Sequence, residues 1–264
     1  MVKKFIIGKI NIKMYMDIFK DLNILIIIIT FILPFSVLFF EILFWNSITQ
    51  GEINLSNVES NKLVAYILLS NVLKEQFNVY TPATTALWEG SIIKYYTRPL
   101  NLIPQFIYEM IGKNWLPKWI TFSIPSIIII YLFGFDIFPY SLKHFVFFII
   151  SLIFAIVIGF EVDILFASIA IKLKNGCWAA EQIRNIIIVV LSGQLIPLQF
   201  FPKNFADFFM LLPFSSMASA PLTIYIGGAY INRILLQVFW AIVLGFFAYY
   251  IFRKSEEGMV SFGG

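Results

Sequence analysis

The stretch FVFFIISLIFAIVIGFEVDILFASIAI, residues 145–171, decides the fold class because only Glu161 and Asp163 interrupt it with charge. A helix of about 20 apolar residues crosses the roughly 30 Å hydrocarbon core of a bilayer, and this run is long enough to do so. The whole chain has the same character: 60% of its 264 residues are hydrophobic, 13% are charged, and the mean hydropathy is +0.86. This composition is typical of an integral membrane protein.

Apolar windows of comparable length recur along the chain. They predict six transmembrane helices, at 22–45, 62–80, 116–133, 145–171, 183–198 and 231–252. Lys and Arg concentrate in the N-terminal arm, in the loops after the second and fourth windows, and in the tail; Arg184 is counted in the loop after the fourth. Because positively charged loops stay on the cytoplasmic side, we expect an all-α membrane protein with both termini in the cytoplasm.

The N-terminal arm, residues 1–21, is patterned as an amphipathic helix. At about 100° per residue, its apolar and basic residues fall on opposite stripes, as in a helix that lies in the membrane surface. The apolar stripe holds Ile7, Ile10, Met14 and Ile18, and the basic stripe holds Lys9, Lys13 and Lys20. The arm either sets only the topology or also contacts a cytoplasmic partner.

The segment 85–114, between the second and third windows, carries more aromatic and charged side chains than a connector needs. Trp88, Ile92, Tyr95 and Tyr96 recur at helical spacing and predict a short helix with an aromatic face. Arg98-Pro99 ends that helix, because a residue before proline is disfavoured in the helical region. The aromatic side chains either dock a partner or anchor the chain at lipid headgroups.

The segment 193–228 interrupts the second half of the chain with prolines, at 197, 202, 213 and 221. Each proline removes a backbone donor, so we expect short re-entrant or interfacial helices on the external side rather than another span. Residues that could gate the external side are Pro197, Phe200, Phe201, Pro202 and Pro213. The alternative is an interfacial loop without a gating role.

Charged residues also fall within the predicted spans, among them Lys74 and Glu75 in the second and Glu161 and Asp163 in the fourth. Ionisable groups inside a membrane are expensive and usually face a partner or a cavity. From the estimated depths, Lys74 could pair with Asp163 or with Glu161. The four residues therefore either form a structural ion pair or line the substrate path.

Several classes of protein do not fit the sequence. One Cys and one His leave no disulfide framework and no paired-histidine metal motif, so no metal site is expected. The chain has no G-x-x-x-x-G-K-[ST] loop and no soluble region large enough to be an ATPase. It also lacks a clustered set of catalytic groups and the internal repeat of many secondary transporters, and we expect no nucleic-acid partner.

The order of these features resembles the permease subunits of ABC-2 type exporters. The resemblance rests on the segment EGSIIKYYTRPLN, on LSGQLIPLQFFPKNFADFFMLLPFSSMASAPLTIYIGG and on the tail MVSFGG, within a chain of six predicted spans. It covers nearly the whole chain, as an N-terminal helix at 1–21 and a permease domain at 22–264. In the branch that looks most similar, a leucine is expected where this chain has Thr97.

The resemblance implies a partner and assigns residues to it. The permease binds no cofactor itself; a separate ABC ATPase in two copies holds ATP and Mg²⁺, and a second permease, the same chain or a related one, completes the complex in the lipid bilayer. The segment after the second span would be a coupling helix that docks in the ATPase. Its coupling residues would be Leu87, Trp88, Glu89, Ile92, Lys94, Tyr95, Arg98 and Pro99.

The resemblance also implies location and cargo. We expect a multi-pass protein of a bacterial cytoplasmic membrane that exports a hydrophobic or amphiphilic substrate, such as a drug, a peptide or a lipid. The alternatives are a membrane scaffold that binds a cytoplasmic partner without transport, and an ATP-independent secondary transporter.

Overall fold

The computed structural model describes residues 35–40, 42–44, 47, 57–88, 91–98, 100–172 and 177–261, and these residues form helices, turns and no strand. The predicted N-terminal surface helix at 1–21 lies outside the described residues, as does most of the first predicted span. From residue 57 onward the chain forms the helices α1 Asn57–Val72, α2 Lys74–Phe77, α3 Ala83–Trp88, α4 Ile93–Tyr96, α5 Leu102–Leu132, α6 Leu142–Lys172, α7 Cys177–Leu191, α8 Lys203–Leu211, α9 Pro213–Met217, α10 Ser219–Tyr225 and α11 Ile231–Ser261.

Within the part of the chain that the structure describes, three helices are long and apolar enough to cross a membrane: α5, α6 and α11. The helices in the second and fifth predicted spans are shorter, with 16 residues in α1 and 15 in α7. The helical fold is therefore observed, and the number of six spans stays a prediction.

Helix α6 lies at the centre of the bundle. It packs along α11 and also contacts α3, α7, α9 and α10. Gly159 allows one close approach: a Cβ at this position would lie 2.8 Å from the Val79 Cγ2 atom. The absence of a side chain there lets the residues that follow α2 lie directly on α6.

Helix α5 begins at Leu102, although the apolar window predicted a start at 116. Lys113 and Lys118 lower the hydropathy of its first part but do not break the helix. Lys118 pairs with Glu75 at the end of the second predicted span. Residues 102–114 of the predicted coupling segment therefore belong to the same helix as the third span, which leaves 83–98 as the separate part.

The segment 193–228 forms short helical pieces: α9 and α10 are largely buried, whereas α8 is largely exposed. Its first turn is held by α1, because the Tyr66 hydroxyl donates to the Gly193 carbonyl at 2.9 Å and the Ser70 hydroxyl to the Gln194 carbonyl at 2.6 Å. Gly193 has a φ of +76°, which favours glycine. Pro213 opens α9, a position where its missing N–H is not needed. The depth of these helices in the membrane stays a prediction.

Gln237 joins the last helix to this segment. Its side chain is fully buried, and its Nε2 donates to the Ser151 carbonyl at 3.0 Å and to the Ser216 carbonyl at 2.8 Å. One amide thereby connects α11, α6 and α9.

We expect Gln237→Leu to lower the free energy of unfolding by about 2 kcal/mol, because two interhelical hydrogen bonds are lost and two buried carbonyls lose a donor. Thermal melting of the purified protein in detergent measures the change. Gln182→Leu is the matched control, since Gln182 is exposed on α7. Equal melting temperatures for the two variants would contradict this role of Gln237.

Candidate functional site

A buried ion pair joins α6 to α7. Arg184 Nε lies 3.3 Å from Asp163 Oδ1, and the two residues are 1% and 3% exposed. The guanidinium also donates to the Val79 carbonyl through Nη2 and to Asn185 Oδ1 at 3.1 Å through Nη1. It lies over the Tyr80 ring, 4.6 Å from the ring centroid. Each charge is therefore compensated within the protein, as a buried pair requires.

The same carboxylate holds the residues that follow α2. The Thr81 backbone N–H and hydroxyl both donate to Asp163 Oδ2, at 2.9 and 2.5 Å. The Thr81 hydroxyl oxygen in turn accepts from the Ala83 N–H at 3.2 Å, in the manner of an N-cap at the start of α3. We call Tyr80, Thr81, Asp163 and Arg184 the polar joint. Its two charged side chains provide hydrogen-bond partners for the Val79 carbonyl and the Thr81 N–H, between α2 and α3.

A cavity of about 210 Å³ lies against the polar joint, between α3, α6 and α7. Thr84, Thr85, Phe166 and Glu181 also line it. Its volume is that of a few water molecules.

The residues after Thr81 form two short helices, α3 and α4, rather than the single short helix predicted between Trp88 and Arg98. Helix α3 contacts α6 and α7, and α4 contacts the start of α5. The Tyr95 side chain of α4 is fully buried. Its ring packs edge-on to Phe106, with centroids 5.0 Å apart, and Phe106 packs in the same way on Phe252 of α11 at 6.2 Å.

Two side chains of α5 hold α4 in place. Glu109 Oε2 accepts a hydrogen bond of 2.6 Å from the Tyr95 hydroxyl. Gln105 Nε2 donates to the carbonyls of Tyr95 and Leu100, both at 2.8 Å. Gln105 and Glu109 are 1% and 5% exposed. We call Tyr95, Gln105 and Glu109 the α4 clamp, because it fixes α4 to the beginning of α5.

These contacts correct the expectation that Ile92 and Tyr95 line an outward docking face. Both side chains are buried against the bundle, because Phe106 and Phe252 cover this face of α4. The large apolar side chains of α4 that point outward are Ile93 and Tyr96, which are 61% and 50% exposed.

The other coupling residues divide into two groups. The cationic groups of Lys94 and Arg98 lie 5.0 and 5.7 Å from the centroid of the Tyr95 ring. Glu89 and Pro99 lie outside the described residues, and so do the side chains of Leu87 and Trp88. Their contacts with an ATPase stay predictions.

The charges of the predicted spans pair differently from the expectation. Asp163 pairs with Arg184, which was counted as a loop residue, and Lys74 pairs with neither Asp163 nor Glu161. Lys74 is exposed beside Ser70, and Glu75 pairs with Lys118. Equal estimated depth was not sufficient to predict a pair, because Lys74 lies beside Val189 of α7 and Gln194 rather than at Asp163.

Glu161 belongs to a different contact. It packs against the last helix, where a Cβ added at Gly245 would lie 2.8 Å from Glu161 Oε1. Its Oε2 atom is buried and has no hydrogen-bond partner among the described residues. Of the residues suggested for a substrate path, only Asp163 belongs to the polar joint.

The residues suggested for an external gate differ in burial. Pro197 and Pro213 are buried, and Pro202 is exposed just before α8. Phe200 is 43% exposed, and Phe201 packs on Phe209 with ring centroids 5.3 Å apart. A gating role for this group stays a prediction.

Several residues of the site were not found from the sequence. Gln105 and Glu109, four positions apart at the beginning of α5, carried a usable signal: polar groups on one face of a membrane helix usually have a partner inside the protein. Arg184 was visible as a cation close to an apolar run. No local sequence pattern identified Thr81 as a residue of the site, because its role depends on Asp163, which is far away in the sequence.

Comparison with models of protein families identifies the family of this chain. The family model described as ABC-2 family transporter protein matches residues 35–263. The match covers most of the chain, and the chain belongs to this family. Its members are membrane components of ABC transporters, which work with an ABC ATPase. A comparison with curated proteins gave no match.

Because Asp163 and Arg184 form a buried ion pair, we expect their substitutions to have strongly non-additive effects on the free energy of unfolding. We expect Asp163→Asn and Arg184→Gln each to lower the free energy of unfolding by about 3 kcal/mol or more, because each leaves an opposite charge buried. The double variant should lose clearly less than the sum of the two. Thermal melting of all three variants gives the coupling free energy.

The control is the Glu75–Lys118 pair, whose side chains are 36% and 34% exposed. Glu75→Gln should lower the stability by about 1 kcal/mol or less, because solvent screens such a pair. Additive effects at Asp163 and Arg184 would contradict the coupling.

Proposed function

We propose that this chain is the permease subunit of an ATP-driven exporter in a bacterial cytoplasmic membrane, with both termini in the cytoplasm. Two copies of a separate ABC ATPase would supply ATP hydrolysis and hold ATP and Mg²⁺. A second permease, identical or related, would complete the translocation unit. Membership of the ABC-2 family supports the class of transporter.

The attachment of residues 83–98 at both ends is the observation that carries this proposal. At the beginning, Thr81 is bound to Asp163; at the end, Tyr95 is bound to Glu109. Ile93 and Tyr96, one before and one after Tyr95, face outward. Through these contacts, a displacement of the outer face of this segment can be transmitted to the spans.

We propose that α4 docks in the ATPase through its outward face. Closure of the ATPase dimer would then displace α4, and the α4 clamp would pass the displacement to α5. The contact from Phe106 to Phe252 would pass it on to α11. The polar joint would carry the movement at the beginning of the segment to α6 and α7. The cargo would be a hydrophobic or amphiphilic molecule, in keeping with the apolar spans.

The docking face can be tested by co-purification. We expect the double variant Ile93→Ala and Tyr96→Ala to lower the amount of ABC ATPase that co-purifies with the permease by about tenfold or more, because central interface side chains each contribute about 1 kcal/mol or more. Trp88→Ala is expected to act in the same direction. The measurement is ATPase bound per permease after co-expression with the cognate ATPase, together with ATP hydrolysis by the complex.

The matched control is Ile128→Ala with Tyr131→Ala, which removes an exposed isoleucine and tyrosine near the other end of α5; these side chains are 54% and 56% exposed. The control should keep the ATPase bound. Equal retention of the ATPase by both double variants would rule out docking through α4. Failure of any ABC ATPase to co-purify with the wild type would favour a scaffold or a secondary transporter.

The α4 clamp can be tested separately from docking. Tyr95→Phe keeps the packing on Phe106 but removes the hydroxyl that donates to Glu109. We expect the ATPase to stay bound, while substrate transported per ATP hydrolysed falls several-fold because α4 is less firmly attached to α5. Transport and hydrolysis in proteoliposomes measure this ratio. Tyr108→Phe, on α5 itself, is the control, and the same ratio in both variants would contradict the role of the clamp.

A further inference from the structure

Glu161 places a carboxyl group between two of the long apolar helices, α6 and α11. A Cβ added at Gly245 would lie 2.8 Å from Glu161 Oε1, so the carboxyl lies directly on the backbone of α11. At about 1.5 Å per residue, Glu161 is about 13 Å from the end of its span at Ala170, and Gly245 is about 15 Å from the end of its span at Ser255. We call this contact the α6–α11 seam. It lies well inside both spans.

The surroundings of the seam are apolar. On the face of α6 that carries Glu161, Val157 and Ile169 are exposed, as expected for side chains in contact with lipid. On α11, Ile242 and Phe246 are exposed on either side of the contact. The carboxyl therefore borders on lipid and apolar side chains rather than on bulk water.

No opposite charge among the described residues compensates this carboxyl. Its Oε2 atom is buried without a hydrogen-bond partner, and none of the described helices that contact α6 forms an ion pair with it. Asp163, two positions further along α6, points to another side of the helix and pairs with Arg184. On α11, the first titratable side chain beyond the contact is Tyr249, which lies under the guanidinium of Arg253. Two carboxyl groups of one helix thus have opposite surroundings.

An ionised carboxylate in the seam would be far less stable than the neutral acid. Removal from water disfavours the charged form, and here neither a cation nor a hydrogen-bond donor offsets that cost. The contact with Gly245 and the enclosed Oε2 atom leave no space beside the carboxyl for a metal ion or an organic cation. The ligand that fits this position is a proton.

We propose that Glu161 is a proton-binding site of the α6–α11 seam, and that its carboxyl is neutral at neutral pH while the two helices are in contact. The neutral side chain allows α6 and α11 to pack along their length without a buried charge. Proton binding requires neither the ATPase nor transport, so the proposal can fail or hold independently of the exporter function.

Infrared spectroscopy of the purified full-length permease in lipid at neutral pH tests the proton directly, because a protonated carboxyl has a C=O stretching band separate from that of a carboxylate. Wild type should show this band, and Glu161→Gln should remove the share of one carboxyl per chain. This variant should melt at nearly the wild-type temperature, since an amide replaces a neutral group of the same shape. The matched control is Glu75→Gln, which should leave the band unchanged because Glu75 is half-exposed and paired with Lys118.

A second test needs no substitution. Dicyclohexylcarbodiimide enters lipid and reacts with a protonated carboxyl: the acid O–H adds across one C=N bond, and the O-acylisourea rearranges to a stable N-acylurea without loss of an atom. Peptide mass spectrometry should find at least about tenfold more adduct on Glu161 than on Asp163, because the partner Arg184 keeps Asp163 ionised. A carboxyl band that Glu161→Gln does not change would overturn the proposal, and so would the absence of a labelling preference for Glu161.

Discussion

The bundle depends on one constraint: charged and backbone polar groups that leave water must find partners inside the protein. The Asp163–Arg184 pair meets this constraint where the chain passes from α2 to α3. Asp163 accepts from Thr81, and Arg184 donates to the Val79 carbonyl. Two charges that would each be expensive alone thus stabilise the residues between α2 and α3 and connect them to α6 and α7.

Because of this arrangement, the segment 83–98 is attached to the spans at both ends. The polar joint holds its beginning, and the α4 clamp of Tyr95, Gln105 and Glu109 holds its end. Both attachments consist of buried hydrogen bonds, which are directional and stronger in a low dielectric than in water. We infer that α4 does not move independently of the spans, and that a partner bound to its outer face moves the bundle with it.

The sequence predicted the long apolar helices, because hydropathy determines them. It did not predict the contacts that depend on which side chains pair between helices. The windows at 145–171 and 231–252 correspond to α6 and α11. Helix α5 begins earlier than its window because Lys113 and Lys118 lowered the hydropathy without breaking the helix. Helical spacing grouped Ile92 with Tyr95 correctly, but periodicity does not tell which neighbour covers a face. Asp163 was found, whereas its partner Arg184 required the three-dimensional arrangement of α6 and α7.

The attachment of α4 to α5 is the central claim, and a distance between spin labels tests it most directly. Thr97 and Lys113 are both exposed, one just after α4 and one within α5, so each accepts a label after substitution by cysteine and replacement of Cys177. Pulsed electron paramagnetic resonance would compare the permease–ATPase complex without nucleotide and with trapped ATP. We predict the same distance in both states, because α4 and α5 move together. A clear change of that distance on ATP binding would show that α4 moves alone and would contradict the account.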